Sequence, residues 1–460
     1  MAVFLVSLDL SIVVVAKRTI EADLGGGSIL TWVFSAYAIA YAAALLTAGR
    51  FADVYGRKRS FLRGVAIFSL GSLLCGLAPT AWFLVLARVV QAVGGAQLSP
   101  ASLALVLPEF PVEKRTQAIA IWGAVGGLAA ALGPSLGGVL VEWLGWRALF
   151  FVNLPFTLGT VAIGARLLRE SRDERAERRV DYPSAALGFA GVGLVVLGIS
   201  QSEVWGWAAG ATIGSIVLGA ALCGAFVLRC RVASNPILDL SLFRLRFVVA
   251  ANVAGVLFSM GFIGMWLLNT FWLQAVWGYG VAHSGLATMP GPVAAAICAP
   301  FAGRYADRIG HSRVLFAGSV LLAAGTFGLN ATITDSPAYL THYLPWMLVT
   351  GCGVGLSIST LSSSATAFLR PAQLAMGSAL NNTFRQVGTA LGAALSLAIA
   401  APALARIEAA RRAGEPLLRV AKPEIHAAWS MNGAIYFIAG VAMLTIFRRP
   451  TESQLVDARG

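Results

Sequence analysis

The stretch Gly49-Arg-Phe-Ala-Asp-Val-Tyr-Gly-Arg-Lys-Arg59 returns, altered but recognisable, as Gly303-Arg-Tyr-Ala-Asp-Arg-Ile-Gly-His-Ser-Arg313. Six of the eleven positions are identical. Each copy follows one long apolar run and precedes another, so each joins two hydrophobic segments at an equivalent place. An internal repeat of this kind marks a membrane protein built from two related halves.

The surrounding composition agrees. The 460 residues are 58% hydrophobic and 12% charged, with a mean hydropathy of +0.77. Soluble domains carry about 25% charged residues, so this chain lacks the polar skin that water-soluble domains need. Its hydrophobicity also excludes disorder, despite 50 glycines and 18 prolines. The class is an all-α polytopic membrane protein. About 20 apolar residues cross a bilayer core, and fourteen runs are expected to do so: 2–16, 29–48, 60–78, 81–107, 117–141, 148–167, 183–202, 209–228, 247–274, 284–302, 313–331, 342–368, 374–400 and 430–447. The first is short. Either the true start lies upstream or its helix continues to about Ile20, past Lys17 and Arg18. No cleavable leader is expected, because the chain opens inside an apolar stretch without a basic n-region.

The repeat sits after the second and tenth runs. Two six-helix halves would place it after the second and eighth, so two extra central spans are expected at 183–202 and 209–228. The division that follows is 1–167 for a first six-helix bundle, 168–246 for a linker with the extra pair, and 247–460 for a second bundle and a short tail.

The net charge of +13 lies in short segments between apolar runs, which favours membrane orientation over nucleic-acid binding. With a cytoplasmic N-terminus, 24 Lys and Arg fall on the inner side and 8 on the outer. This bias places both termini in the cytoplasm. Five of the eight exceptions fall in one segment, 402–429, read as a long outer loop. Nine of the twelve tryptophans, Trp32 and Trp429 among them, fall at expected outer boundaries, where indoles favour the interface. Cys75, Cys223, Cys230, Cys298 and Cys352 lie in or beside apolar runs with no C-x-x-C spacing, and read as packing residues.

Four motifs give this chain a resemblance to major facilitator superfamily transporters, and more narrowly to the 14-span drug:proton antiporter branch (EmrB/QacA type). Gly49, Asp53, Gly56, Arg57 and Lys58 match the motif after span 2. Arg88, Gln91, Gly94 and Gly95 match span 4, while Leu132, Gly133, Pro134, Gly137 and Gly138 match the antiporter motif of span 5. Asp9, Ser11, Ile12, Val13 and Ala16 match span 1, and Trp146, Arg147, Phe150, Asn153 and Pro155 are typical of the branch. One departure is that Ala16 precedes Lys17-Arg18 where the family continues Ala-Leu-Pro. The resemblance implies a major facilitator fold, alternating access, and export of amphipathic small molecules against protons by a monomer in a bacterial-type cytoplasmic membrane. It also implies that the repeated segments, around Asp53 and Asp307, act as conformational latches between the halves; the alternative is that they are topological anchors only.

The residues themselves point to a mechanism. A charge inside a span faces a cavity or a partner, because lipid exposure is costly. Arg88 and Asp9 are such charges, and counting at 1.5 Å per residue puts both roughly 10 Å below the same membrane face. They are expected to meet, with Asp9 carrying the proton and Arg88 modulating it; the alternative is a static structural pair. Gln91 shares the helix face of Arg88. In span 13, Asn381, Asn382 and Arg385 form a polar face that either lines a cavity or bonds to neighbouring helices, and Asn252 and Asn269 in span 9 are placed with it. Trp32, Tyr37 and Tyr41 either stack on an aromatic cargo or serve as anchors and packing.

None of the four lysines follows a glycine, so an ATP-binding loop is absent from the sequence. The four histidines lie in loops or at span ends and form no His-x-x-x-His pair. Neither an enzyme, a cofactor nor a metal site is expected. Proton-coupled transport of one specific metabolite is the alternative in the same fold; a non-transporting membrane sensor is a further one.

Overall fold

The structure, a computed structural model, describes residues 2–26, 29–171, 181–233, 236–370, 373–413, 422–448 and 451. Among these residues there is no β-strand. The helices are α1 (Ala2–Ile12), α2 (Lys17–Leu24), α3 (Ile29–Tyr55), α4 (Arg57–Gly76), α5 (Ala81–Val106), α6 (Val112–Leu144), α7 (Ala148–Phe151), α8 (Asn153–Leu167), α9 (Tyr182–Trp205), α10 (Gly210–Val232), α11 (Arg246–Phe271), α12 (Val281–Thr288), α13 (Pro290–Ile309), α14 (His311–Thr332), α15 (Leu344–Thr366), α16 (Leu374–Ala413) and α17 (Lys422–Ile446). Helix therefore occupies all fourteen apolar runs. By length and composition, eleven helical segments of the described residues are long and apolar enough to cross a membrane.

The repeated segments are not loops. Asp53 lies in the last turn of α3 and Arg57 opens α4, so Gly56 alone separates the helices. Its copy behaves the same way: Gly310 alone separates α13 from α14. Gly56 has φ 107° and ψ 136°, Gly310 φ 98° and ψ 145°. Backbone of this kind is open to glycine and costly for other residues, and its recurrence shows the sequence repeat preserved as one turn geometry.

Of two further boundaries, one follows the alternative in which the first helix continues past Lys17 and Arg18, and the other differs from the sequence reading. The first run continues as helix through a 3-10 turn at Val13–Ala16 into α2, ending at Leu24. The segment 402–429 is not a long loop: α16 runs to Ala413 and α17 starts at Lys422, with residues 414–421 outside the described part. Trp429, expected at a membrane boundary, is fully buried inside α17, its indole N–H donating to Asn269 Oδ1 at 3.0 Å.

Where the core lies shows how the halves meet. One buried apolar cluster joins them at the end carrying Gly56: Leu45 and Ala52 of α3, Leu98 and Leu105 of α5, and Ala375 and Leu380 of α16 belong to it. At the opposite end each half has its own cluster, one around Ile12, Leu84 and Phe150, the other around Trp272, Tyr343 and Trp429. Gly49 marks the seam, since a Cβ there would come within 2.6 Å of Ala379 Cβ and 3.1 Å of the Ala375 carbonyl. The hairpin of α9 and α10 packs α9 against both α3 and α16. Its base is clamped by Arg229, which donates to both oxygens of Asp181 (Nε–Oδ2 2.9 Å, Nη2–Oδ1 2.8 Å) and holds that carboxyl below its ordinary pKa.

Close helix approach positions the first half. At Gly71 of α4 an added Cβ would lie 2.5 Å from Gln91, and at Gly94 of α5 it would lie 2.3 Å from the Phe68 backbone nitrogen. Neither backbone can yield without separating α4 from α5. Gly94→Ala is therefore expected to destabilise the protein by about 1–3 kcal/mol, read as a lower thermal midpoint in detergent; an unchanged midpoint would show that this contact is looser than its geometry.

Candidate functional site

The Asp9 and Arg88 side chains meet. Arg88 Nη1 donates to Asp9 Oδ2 at 2.5 Å, and the pair sits in a knot of polar groups from four parts of the first half. Gln91 Nε2 donates to Asp9 Oδ1 at 2.8 Å and to Ser72 Oγ at 2.7 Å. Asn153 Nδ2 reaches the same two oxygens at 3.1 and 3.0 Å. Arg88 Nη1 also donates to Gln91 Oε1 at 2.6 Å, and its Nε to the Val33 carbonyl at 3.4 Å. The guanidinium lies 4.0 Å from the centroid of the Tyr37 ring, whose π face favours a cation.

Every contact to the Asp9 carboxylate comes from a donor. This suits an acceptor-only anion. Asp9, Ser72, Gln91 and Asn153 are each 0% exposed and Arg88 1%, so in this arrangement the pair is closed off from the protein surface. A buried ion pair of this kind is tolerated because its remaining hydrogen-bonding groups are largely satisfied. Asn153 Oδ1 and the Tyr37 hydroxyl are the buried atoms of the knot with no hydrogen-bond partner.

Local sequence builds this arrangement simply. Thr80 caps α5, accepting from the Phe83 amide at 3.2 Å, and Arg88 and Gln91 follow on one face. Gly95, a turn later, leaves room for Tyr37 and Tyr41, which stack at 6.0 Å. Sequence reasoning set Gln91 on the Arg88 face as a candidate cavity residue and left Tyr37 between cargo stacking and packing; the structure buries both in the knot. Ser72 and Asn153 went unrecognised as partners of Asp9. The height count that paired Asp9 with Arg88 would have found them, because each lies about five residues, or roughly 8 Å, from the same end of its apolar run.

Above the knot, Asp23 at the end of α2 accepts from Arg147 and, at 3.0 Å, from the Trp146 indole. The Arg147 and Trp146 hydrogen bonds hold the Asp23 carboxyl below its ordinary pKa. The two branch-typical residues thus fasten the far end of the first rod, beyond the Lys17-Arg18 departure.

The latch residues occupy the opposite end. Arg57 pairs with Asp53 at 3.1 Å, both nearly fully buried. Lys58 Nζ donates to the Ala165 carbonyl at 2.8 Å. Glu170, unmarked by sequence reasoning, receives the Lys58 and Arg59 amides at 3.0 and 3.2 Å. A carboxylate at the first amides of α4 is favoured by the unpaired N–H groups and the helix dipole. Asp307 is exposed at the end of α13.

Gly133, Pro134, Gly137 and Gly138 lie within uninterrupted α6, with Gly133 and Gly137 buried. The string Gly133-Pro-Ser-Leu-Gly137 has the spacing of a hydrolase nucleophile elbow, but it runs mid-helix and not at a strand-to-helix turn. Upstream on the same helix, Gly126 packs on Val3 and Ser7 of α1, and Gly123 faces Ile358 of α15 across the seam.

The remaining polar residues divide. Asn269 is buried between Trp429 and Met347, and Trp32 packs half-buried on the far-end cluster. Asn381 donates to Asn252 at 3.3 Å. Asn382 crosses the seam to Ser99 at 3.3 Å. Arg385 is half-buried, its Nε donating to Ser259 Oγ at 3.4 Å. Among the described residues no cluster of His, Cys, Asp or Glu has the makeup of a metal site.

A two-part helical bundle with a buried ion pair and a polar seam is the form of a membrane transporter. Comparison with known proteins agrees: the chain belongs to the Major Facilitator Superfamily, whose family model matches residues 1–393 and 251–460. It is 35% identical over 399 residues to multidrug resistance protein Stp of Mycobacterium tuberculosis (strain CDC 1551 / Oshkosh), covering 86% of this chain and 73% of that protein. It is 33% identical over 395 residues to the tetracenomycin C resistance and export protein of Streptomyces glaucescens, covering 85% and 73%. Among solved structures, the fold is shared with the proton:xylose symporter XylE at a TM-score of 0.65 and 13% identity, covering 96% of this chain and 93% of that one. The chain is thus an integral plasma-membrane transporter, not an enzyme.

Removing one partner of the knot should harm folding more than removing both charges. Arg88→Ala strands Asp9 as a lone buried anion and is expected to cost about 3–5 kcal/mol. Adding Asp9→Asn should recover part of that loss, giving a coupling on the order of 0.5–3 kcal/mol in a double-mutant cycle followed by unfolding in micelles. Strictly additive losses would contradict the pairing.

Proposed function

We propose that this protein exports amphipathic small molecules in exchange for protons, by alternating access, with Asp9 as the proton carrier and Arg88 as its modulator. The observation that carries the proposal is the buried Asp9–Arg88 pair, tied by Gln91 and Asn153 into one knot whose donors converge on the Asp9 carboxylate. Relatives named for drug resistance and export support the outward direction.

The chemistry follows from the contacts. A proton added to Asp9 cancels the charge that compensates Arg88 and puts an O–H donor where donors already converge. The guanidinium must then turn elsewhere, and the helices it ties together, α1 and α5, lose their strongest link. Cargo binding at the seam and proton loading at the knot are coupled because both bias one rearrangement of the halves. A second reading of the pair, as a static brace, leaves transport indifferent to Asp9.

All fourteen apolar helical rods cross the membrane in this proposal, with both termini cytoplasmic. The chain is read as two six-helix bundles, 1–167 and 247–460, with the extra pair in 168–246 docked at the seam; it works as a monomer. The end carrying Gly56 is then the cytoplasmic one, and the cluster joining the halves there closes the inner side. Gly49, Asp53, Gly56, Arg57 and Lys58, with Asp307 of the copy, act as the latch of that closure. The Gly133–Gly138 string supplies the smooth helix surface that α6 needs to slide.

The test is a toxicity panel of amphipathic antibiotics, tetracenomycin C among them, in an efflux-deficient host, paired with drug-driven proton release from proteoliposomes. Wild type should confer resistance, while Asp9→Asn and Arg88→Ala should lose both resistance and proton release. Unimpaired antiport in Asp9→Asn would remove Asp9 from the coupling.

A further inference from the structure

Arg385, half-buried in α16, differs from Arg57 and Arg88 in one respect. Arg57 has Asp53 and Arg88 has Asp9, whereas no carboxylate of the described residues lies within ion-pair distance of Arg385. The residue sits eleven positions into α16, about 16 Å along a helix of 1.5 Å rise, close to the midplane of a core roughly 30 Å thick. Its Nε donates to Ser259 Oγ at 3.4 Å, and its stem lies over Gly255, where an added Cβ would come within 3.3 Å of Cγ. The other guanidinium nitrogens make no hydrogen bond to described residues and are not fully buried.

Its neighbours are neutral and polar. Asn381 and Asn252 are bonded to each other on the same two helices, and Asn382 reaches Ser99 on the first half. Tyr41 of α3 lies within electrostatic reach and stacks on Tyr37. A midplane cation faces a cavity or a partner and marks a substrate or ion pathway, and the one carboxylate deep within an apolar run, Asp9, is already paired with Arg88.

We infer that the missing counter-charge belongs to the cargo: Arg385 is the recognition site for an anionic group on an aromatic amphipathic substrate. A carboxylate or sulfonate suits the two terminal nitrogens of a planar guanidinium, which bind such groups in bidentate fashion. Asn381 and Asn382 stand beside it as neutral donors, and Tyr41 offers a ring face. Because α16 and α11 belong to the second half, and Tyr41 and Ser99 to the first, an anion held here touches both sides of the seam. This assignment deepens the export reading and rests on it, while its test requires no proton gradient.

The experiment compares 1-pyrenebutyrate with its neutral analogue 1-pyrenebutanol, by energy transfer from tryptophan in detergent-solubilised full-length protein at neutral pH. Wild type should bind the carboxylate at least about tenfold more tightly than the alcohol. Arg385→Gln should bring that ratio close to one while keeping alcohol binding, which also reports an intact cavity, and Arg385→Lys should retain part of the preference. An equal affinity of wild type for the two probes would overturn the assignment. So would an unchanged ratio in Arg385→Gln, or its loss of both ligands, which would make Arg385 an organiser of the cavity and not a reader of charge. Charge-selective binding together with failed proton-driven efflux would leave Arg385 assigned and sink the export reading instead.

Discussion

A carboxylate and a guanidinium taken out of water are each expensive, and together they are tolerable only when their geometry is good and their other hydrogen-bonding groups are occupied. The contact between Asp9 and Arg88 is the constraint on which the first half is built. It requires α1 and α5 to lie side by side, α4 to approach α5 closely enough for Ser72 to join, and α8 to begin at the depth where Asn153 can reach. The small residues follow from that demand. Gly71 and Gly94 permit the α4–α5 approach, and Gly95 admits the tyrosine whose ring lies against Arg88.

The knot lies toward one end of the bundle and the shared apolar cluster at the other. The proposed coupling rests on this separation. A change in charge at the knot alters how the rods of one half pack, while the halves meet where Gly49 presses on Ala375 and Ala379. Packed interiors move between discrete arrangements and do not deform smoothly, so a local loss at the knot can be expressed as a shift of the seam. Arg385 sits at that seam at mid-depth, where a bound anion would enter the same balance.

Much of this was legible in the chain. The apolar runs gave the helices, because a membrane span must satisfy its backbone internally, and the repeated Gly49–Arg59 pattern marked a helix junction that the structure builds twice. The Asp9–Arg88 contact was also readable, since isolated charges in apolar runs must find each other and their depths matched. The turns were not: the repeated strings look like loops by charge, yet a single glycine at positive φ lets helix resume immediately on either side. The run 402–429 misled in the same way, as charge ends a membrane span without ending a helix. Neutral polar residues were the hardest to place. Ser72, Asn153 and Asn269 carry no charge to fix their partners; depth points the first two toward Asp9, and packing shows that they join the knot while the third serves Trp429.

The central claim is that a proton can take Arg88's place at Asp9. Infrared difference spectroscopy of the purified protein, recorded as the pH is lowered, observes this directly. The account predicts the carbonyl stretch of a newly protonated carboxylic acid, absent from Asp9→Asn and shifted in Arg88→Lys. A spectrum in which the Asp9→Asn protein shows the same acid bands as wild type would mean that Asp9 stays an anion locked to Arg88, and the knot would then be a brace.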